Sequence, residues 1–270
     1  MVVITSDDRE VILDAVRRMY TDVAREPERE FHFPTGRAAC EFEGYPDDLL
    51  EPLPPEAVAS YAGVSCPFRA DVIREGDTVL DIGSGSGTDA LIAAAMVGPG
   101  GEVSGLDLTP AMRERLKENA GRMGVENVRA LDGNAESIPL PDASVDVVTT
   151  NGVLNLVPDK PAAAAEIHRV LRPGGGLQLA DIVLAREPSD ACRRKPELWA
   201  ECIVGATRED EYLDLFRDVG FRELEVLSRL DYFARSPSPE TRELAASLGA
   251  EAVVLRGKKP GPAGGDSDHT

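Results

Sequence analysis

The segment Asp81-Ile82-Gly83-Ser84-Gly85-Ser86-Gly87 joins a short β-branched run to an apolar, helix-forming one. Glycines at alternate positions let the backbone turn sharply and approach a bound molecule, and a helix leaving the turn offers unpaired N–H groups. A strand must enter and a helix must leave, which commits the neighbouring chain to alternating strands and helices. Thr78-Val79-Leu80-Asp81-Ile82 reads as the strand and Thr88 to Met96 as the helix. Glu102 to Asp107 is a second strand, after which Thr109 caps and Pro110 opens a helix to about Met123. Val128 to Leu131, Val145 to Thr150 and Gly176 to Val183 read as further strands. A helix from about Pro161 to Leu171 and a turn at Arg172-Pro173-Gly174-Gly175-Gly176 stand between the last two. A helix from Arg208 to Val219 closed by Gly220, and strand-like runs at Phe221 to Leu230 and Ala252 to Leu255, finish the sheet as an antiparallel pair. The predicted fold is α/β, a doubly wound, mostly parallel sheet of about seven strands.

The chain divides by texture. Residues 1–76 hold one helix, Asp7 to about Ala24, followed by Pro- and Gly-punctuated sequence that is expected to cap the ligand end of the sheet. Residues 77–257 are the sheet domain, and 258–270, rich in Gly, Pro and Asp, read as a flexible tail. Lys and Arg number 29 against 48 Asp and Glu, a formal charge of −19, which repels polyanions and argues against nucleic acid and acidic membranes as partners. Without a leader-like apolar stretch or a run long enough to span a bilayer, the expected location is cytoplasmic, as a monomer or homodimer. The four cysteines, Cys40, Cys66, Cys192 and Cys202, lack CxxC spacing and read as thiols; no metal site is expected.

The turn by itself suits a dinucleotide as well as other nucleosides. Asp81, on the strand just before Gly83, places a carboxylate where it would oppose a pyrophosphate but bind a cationic amine. Asp107, ending the second strand, is positioned for both hydroxyls of a ribose. Ser84, Gly85 and Gly87 complete the cradle, Leu108 and Met112 offer apolar surface to an adenine ring, and Asn134, Ala135 and Glu136 offer polar groups to its edge.

Asp-x-Gly-x-Gly-x-Gly with an acid ending the next strand resembles the cofactor motifs of class I S-adenosylmethionine-dependent methyltransferases. Pro139 to Val148 and Leu171-Arg172-Pro173-Gly174-Gly175 resemble that family's segments before the fourth and fifth strands. The resemblance implies a Rossmann-like class I fold and S-adenosyl-L-methionine as cofactor. Gly44 to Leu50, Ala57 to Val64, Asn151 to Lys160 and Leu198 to Ala206 are similar to segments of arsenite methyltransferases. Those enzymes hold trivalent arsenic with thiolates, soft ligands for a soft element. Cys202 matches one such position, and Gly152 stands at the other.

The acceptor expected on these grounds is another small molecule, a soft nucleophile methylated by in-line displacement, with Cys202 and Asn151 at the reacting end and Asn151 also touching the cofactor. A hydroxyl or phenol acceptor would need a base, for which His32 is the candidate; its other reading is a packed turn histidine. The alternatives are arsenite methylation using Cys202 with Cys66, Cys40 being more remote; a nicotinamide-linked oxidoreductase; and a binding module without catalysis. Trp199, Tyr61, Tyr212 and Phe216 are candidate wall residues, the last two reading better as core. Asn155 flanks the same strand end, His168 is expected to face solvent or cap its helix, and His269 lies in the tail.

Overall fold

In the computed structural model, residues 6–187, 203 and 205–261 are described. The sheet has the order β3-β2-β1-β4-β5-β8-β7. Its strands are β1 (Thr78–Ile82), β2 (Glu102–Asp107), β3 (Val128–Asp132), β4 (Val145–Asn151), β5 (Leu171–Leu184), β7 (Arg222–Leu230) and β8 (Ala250–Lys258). An eighth strand that the sequence reading lacks, the two-residue β6 (Thr207–Arg208), pairs parallel with the end of β5. Pairing is parallel from β3 through β5 and antiparallel from β5 to β8 and β7.

Period-2 alternation fixes the faces. Leu177, Leu179 and Val183 of β5, with Val253 and Leu255 of β8, join one core cluster, while Ala180, Ile182, Leu184, Ala252 and Val254 join another on the opposite face. α5 (Thr88–Val97) and α6 (Pro110–Met123) cover one side of β1 and β2; α7 (Lys160–Val170) and α8 (Glu209–Asp218) pack on the opposite face of the sheet against β5, through Ala163, Ile167, Tyr212 and Phe216. α9 (Pro239–Leu248), absent from the sequence reading, packs Ala245 and Leu248 on the second β5–β8 face.

The N-terminal helices α1 (Ser6–Arg25), α2 (Gly36–Phe42), α3 (Asp47–Leu50) and α4 (Pro55–Ala59) lie over α5, α6 and the carboxyl ends of the strands. Ala57 O accepts from both Ser86 Oγ and Thr88 Oγ1 at 2.8 Å, fastening α4 to the glycine loop. Two expected boundaries shift. The Arg172–Gly176 turn lies within β5, because Leu171 already pairs with Val145 and a register shift takes up the slack before Val147 meets Gly176. The tail does not begin at 258: Lys258 ends β8, and Lys259 exchanges main-chain bonds with Gly174 and Gly175 at 2.9 Å each. Among the described residues no helix is long and apolar enough to cross a membrane.

Candidate active site

Strand register assembles the site. Ile82 pairs with Leu106 on one side and Thr150 on the other, so the next residues, Asp107, Gly83 and Asn151, share one row at the carboxyl edge. The order of connection reverses between β1 and β4, and a cleft of about 1000 Å³, open solvent at its mouth included, lies there. Asp81, Gly83, Ser84, Gly85, Asp107, Leu108, Met112, Asn134, Ala135, Glu136 and Asn151 all line it; Gly87, beneath the loop, does not.

Asp107 is pre-set. Its Oδ2 accepts the Gly85 N–H at 2.9 Å and its Oδ1 the Thr109 N–H at 2.8 Å, leaving a lone pair on each oxygen for a pair of hydroxyls. Burial pushes its carboxyl up, against those two N–H groups and the Arg113 guanidinium. Gly85 sits at φ +52°, and a Cβ there would find only Met112 Sδ, at 3.9 Å, so the loop presents bare backbone to the cleft. Asn134 Oδ1 is spent on the Glu136 N–H at 3.0 Å. Glu136 takes the Arg9 guanidinium of α1 and, at 2.7 Å, the Asp159 N–H.

Asp81 is 2% exposed, and its Oδ2 meets no hydrogen-bond donor among the described residues; the Ala90 N–H in the first turn of α5 donates to the carboxylate. Burial, then the charges of Asp89 and Asp107, push its carboxyl well above the usual range. Ser84 Oγ is a second buried cleft atom that meets no partner among the described residues. A buried polar atom left unmatched costs about 1–3 kcal/mol, so these two mark where a ligand supplies polar groups.

The sequence reading missed Asp89. This acid, also in the first turn of α5 and lining the cleft, accepts from Tyr45 Oη at 2.6 Å and Asn151 Nδ2 at 3.1 Å. Burial outweighs these donors and raises its carboxyl to about 6. Behind it, Tyr61 Oη donates to Glu43, whose carboxyl burial raises to about 8. Asn151 is the hub: Nδ2 stands 3.0 Å from Tyr45 Oη, 3.2 Å from Tyr61 Oη and 2.8 Å from Ser65 O, while Oδ1 accepts the Val64 N–H at 2.9 Å. The end of β4 is thereby tied to the N-terminal segment. The signal available in sequence was one acid inside the buried run TDALIAAAMV.

His32 is half-buried, edge-on to Phe33 at 4.7 Å, and is not among the residues lining the cleft. Cys40 and Cys66 are free, buried thiols in the core beside the cleft rather than in its wall. Burial, then the charge of Asp89, pushes the Cys66 thiol up to about 12, and Cys40 is raised further by burial and Glu43. Gly152 lines the cleft at φ +69°, where a Cβ would come within 3.3 Å of Val64 Cγ1. Tyr61 is a wall residue; Tyr212 and Phe216 are core, Tyr212 Oη donating to Asp181 at 3.0 Å. Asn155 is fully buried and bonded to Asp181 and Ile182. His168, partly exposed in the last turn of α7, packs its ring edge-on against Phe221 at 5.3 Å. Cys192, Trp199, Cys202 and His269 lie outside the described residues. Among the described residues no group of His, Cys, Asp and Glu could hold a metal ion.

A family model described as "Methyltransferase domain" matches residues 73–220. The chain belongs to this methyltransferase family. It is 37% identical over 166 residues to an arsenite methyltransferase of Halobacterium salinarum, covering 61% of this chain and 42% of the relative. To an arsenite methyltransferase of Aquipseudomonas alcaligenes it is 36% identical over 196 residues, 69% of this chain and 56% of the relative. The chain thus spans about half the length of these curated relatives. An arsenic(III) S-adenosylmethionine methyltransferase from Chlamydomonas reinhardtii has a similar structure, with a TM-score of 0.61 and 30% identity over 86% of this chain and 75% of that one. Within the methyltransferases, the chain therefore falls in the class I, arsenite-methyltransferase-like group.

The residues fit the cofactor of that group, S-adenosyl-L-methionine. The unpartnered Asp81 oxygen suits an ammonium, the Asp107 oxygens a cis-diol, and Leu108 and Met112 an adenine face. A pyrophosphate would meet two buried carboxylates, Asp81 and Asp89, in the same cleft.

Proposed function

We propose that the chain catalyses methyl transfer from S-adenosyl-L-methionine to a small-molecule acceptor, a soft nucleophile, by in-line displacement. The observation that carries this reading is the buried, unpartnered Asp81 oxygen in the same cleft as the pre-set Asp107 carboxylate. The cofactor supplies an electrophilic methyl group on a sulfonium, with a neutral leaving group.

The chain's part is to bind, orient and exclude water. Asp107 holds the ribose, Asp81 the ammonium, and Ser84 and Gly85 the turn between them. Leu13, Val16 and Tyr20 of α1 close one side, and Val153, Leu156 and Val157 make an apolar wall on the other. Such a site rewards an acceptor that is already nucleophilic, for which alignment and desolvation suffice. No histidine or cysteine is among the described residues lining the cleft, which favours this over a base-assisted hydroxyl acceptor. Residues 1–76 are read as the cap, 77–257 as the catalytic domain, and the protein as a cytoplasmic monomer or homodimer that does not bind nucleic acid.

Arsenite is the second reading, favoured by the relatives' names and by Cys202, and opposed by Gly152 and by Cys66 lying off the cleft. One experiment tests both: labelled cofactor with a panel of thiols, selenols, phenols and amines, and separately with arsenite and glutathione. Transfer to a thiol or selenol supports the proposal. Methylated arsenic lost in Cys202→Ser replaces it with the second reading, and a melting temperature raised by NADH but not by S-adenosylhomocysteine overturns both.

A further inference from the structure

We infer that Asp81 and Asp89 form a single receptor for the α-ammonium of the cofactor's amino-acid arm, and that the pair gives up a proton to solvent when that ammonium binds. This rests on the cofactor reading above and assigns to Asp89 a role that the glycine-loop motif does not contain.

Both carboxylates are buried, 2% and 6% exposed, and both line the cleft beside the first turn of α5, where the Ala90 N–H already holds Asp81. Asp89 is fixed by Tyr45 Oη and Asn151 Nδ2, whereas Asp81 Oδ2 is left without a donor. The groups facing the pair are Glu43, Tyr45, Tyr61, Cys40 and Cys66 from the N-terminal segment, Asn151 from β4 and Asp107 from β2. All are acidic or neutral, and the charges acting on Asp81 are those of Asp89 and Asp107, both anionic. Two buried carboxylates without a cation share a proton in preference to holding two negative charges.

The balance is simple. Before binding, the pair carries one proton at neutral pH. The ammonium arrives with its three N–H bonds intact and pairs with both carboxylates, each now ionised, and the displaced proton passes to buffer. A ligand with the adenosine but without the ammonium leaves the proton in place.

Calorimetry at pH 7 in two buffers of different ionisation enthalpy counts the protons. Wild-type protein titrated with S-adenosylhomocysteine is expected to release roughly one proton per site, and with 5′-methylthioadenosine none. Asp89→Asn removes one of the two charges that, after burial, raise Asp81, so release at pH 7 falls and affinity for S-adenosylhomocysteine drops about tenfold, while 5′-methylthioadenosine affinity holds. Buffer-independent heats with S-adenosylhomocysteine, or equal release with both ligands, overturn the inference and leave the cofactor reading standing. No heat with either ligand in folded protein overturns both. Should Asp89→Asn not fold, the wild-type comparison of the two ligands decides alone.

Discussion

Asp107 shows how a residue can be made ready for a ligand in advance. Both of its oxygens already accept main-chain N–H groups, so neither can rotate away, and the free lone pairs point where a diol would lie. In Asp107→Asn the amide must turn an NH2 toward either Gly85 N–H or Thr109 N–H, breaking one of the two bonds. Affinity for S-adenosylhomocysteine should fall by about 1.4–2.7 kcal/mol, roughly 10- to 100-fold, with an unchanged circular dichroism spectrum; calorimetry is the check. Gly152 gives a second prediction. At φ +69° with Val64 3.3 Å from a notional Cβ, Gly152→Cys should cost about 1–3 kcal/mol in urea unfolding, and adding Val64→Ala should return only the steric part. Asp81 and Asp107 were legible in sequence because both sit at fixed positions relative to the glycine turn. Asp89 was not, because its partners Tyr45 and Asn151 lie 44 and 62 residues away, and nothing local says that an acid in an apolar helix faces a cleft. Likewise His32 was legible as a candidate base in the N-terminal cap but not as a ring packed on Phe33 away from the cleft.

At the scale of elements, the strands that build the site were readable because β-branched runs alternate with helices whose starts are marked, as at Thr109-Pro110, although the Thr109 side chain makes no capping bond. α9 carries equally plain signals, Ser238 accepting the Thr241 N–H at 3.1 Å, Pro239 at the first position and Gly249 closing, but it lies between two strand-like runs that by themselves complete the expected sheet. β6 had no signal, since two residues have no period and pairing with β5 alone defines them. The start of the tail was hidden for a similar reason: Lys259 is polar, yet its Nζ donates to His168 O and Leu171 O at 2.7 Å each, bonds made with residues far off in sequence. α1 matters most for function. It brings Leu13, Val16 and Tyr20 to the cleft, and its Arg9 pairs with Glu136, whose side chain is 4% exposed. Arg9→Ala leaves that carboxylate with the Asp159 N–H as its remaining hydrogen-bond donor among the described residues. It should speed dissociation of S-adenosylhomocysteine by roughly two- to fivefold, read by stopped-flow fluorescence, while amide exchange rises in α1 and stays unchanged in β1 and β4.

For the molecule as a whole, the buried acids set an unusual pH response. Asp81 stands well above its ordinary value, Asp89 and Asp181 are raised to about 6 and Glu43 to about 8, in each case chiefly by burial. An acid whose folded value is raised binds its proton more tightly when folded. Its contribution is therefore complete below the unfolded value, about 4, and is lost as pH rises through the folded one. Asp146, Glu166 and Glu209 are shifted down, against burial, by the hydrogen bonds of Arg172, Arg169 and Arg229. Their contribution is present above about 4.5 and lost on further acidification. The two ranges meet without overlapping, so stability is expected to peak where they meet, at about pH 4.5, with each contribution already partly lost. Above it, the ligand-free protein should lose stability steadily toward pH 8, helped by the self-repulsion of a −19 chain. Urea unfolding at pH 5, 6.5 and 8 in fixed 0.15 M salt tests this, with the lowest stability expected at pH 8. Saturating S-adenosylhomocysteine should flatten the slope, because an ammonium in the cleft stabilises the ionised form of Asp81 and Asp89. A stability that rises from pH 5 to pH 8 without ligand would mean that these carboxylates are paired or solvated in solution, and the electrostatic case for a cation in the cleft would fall with it.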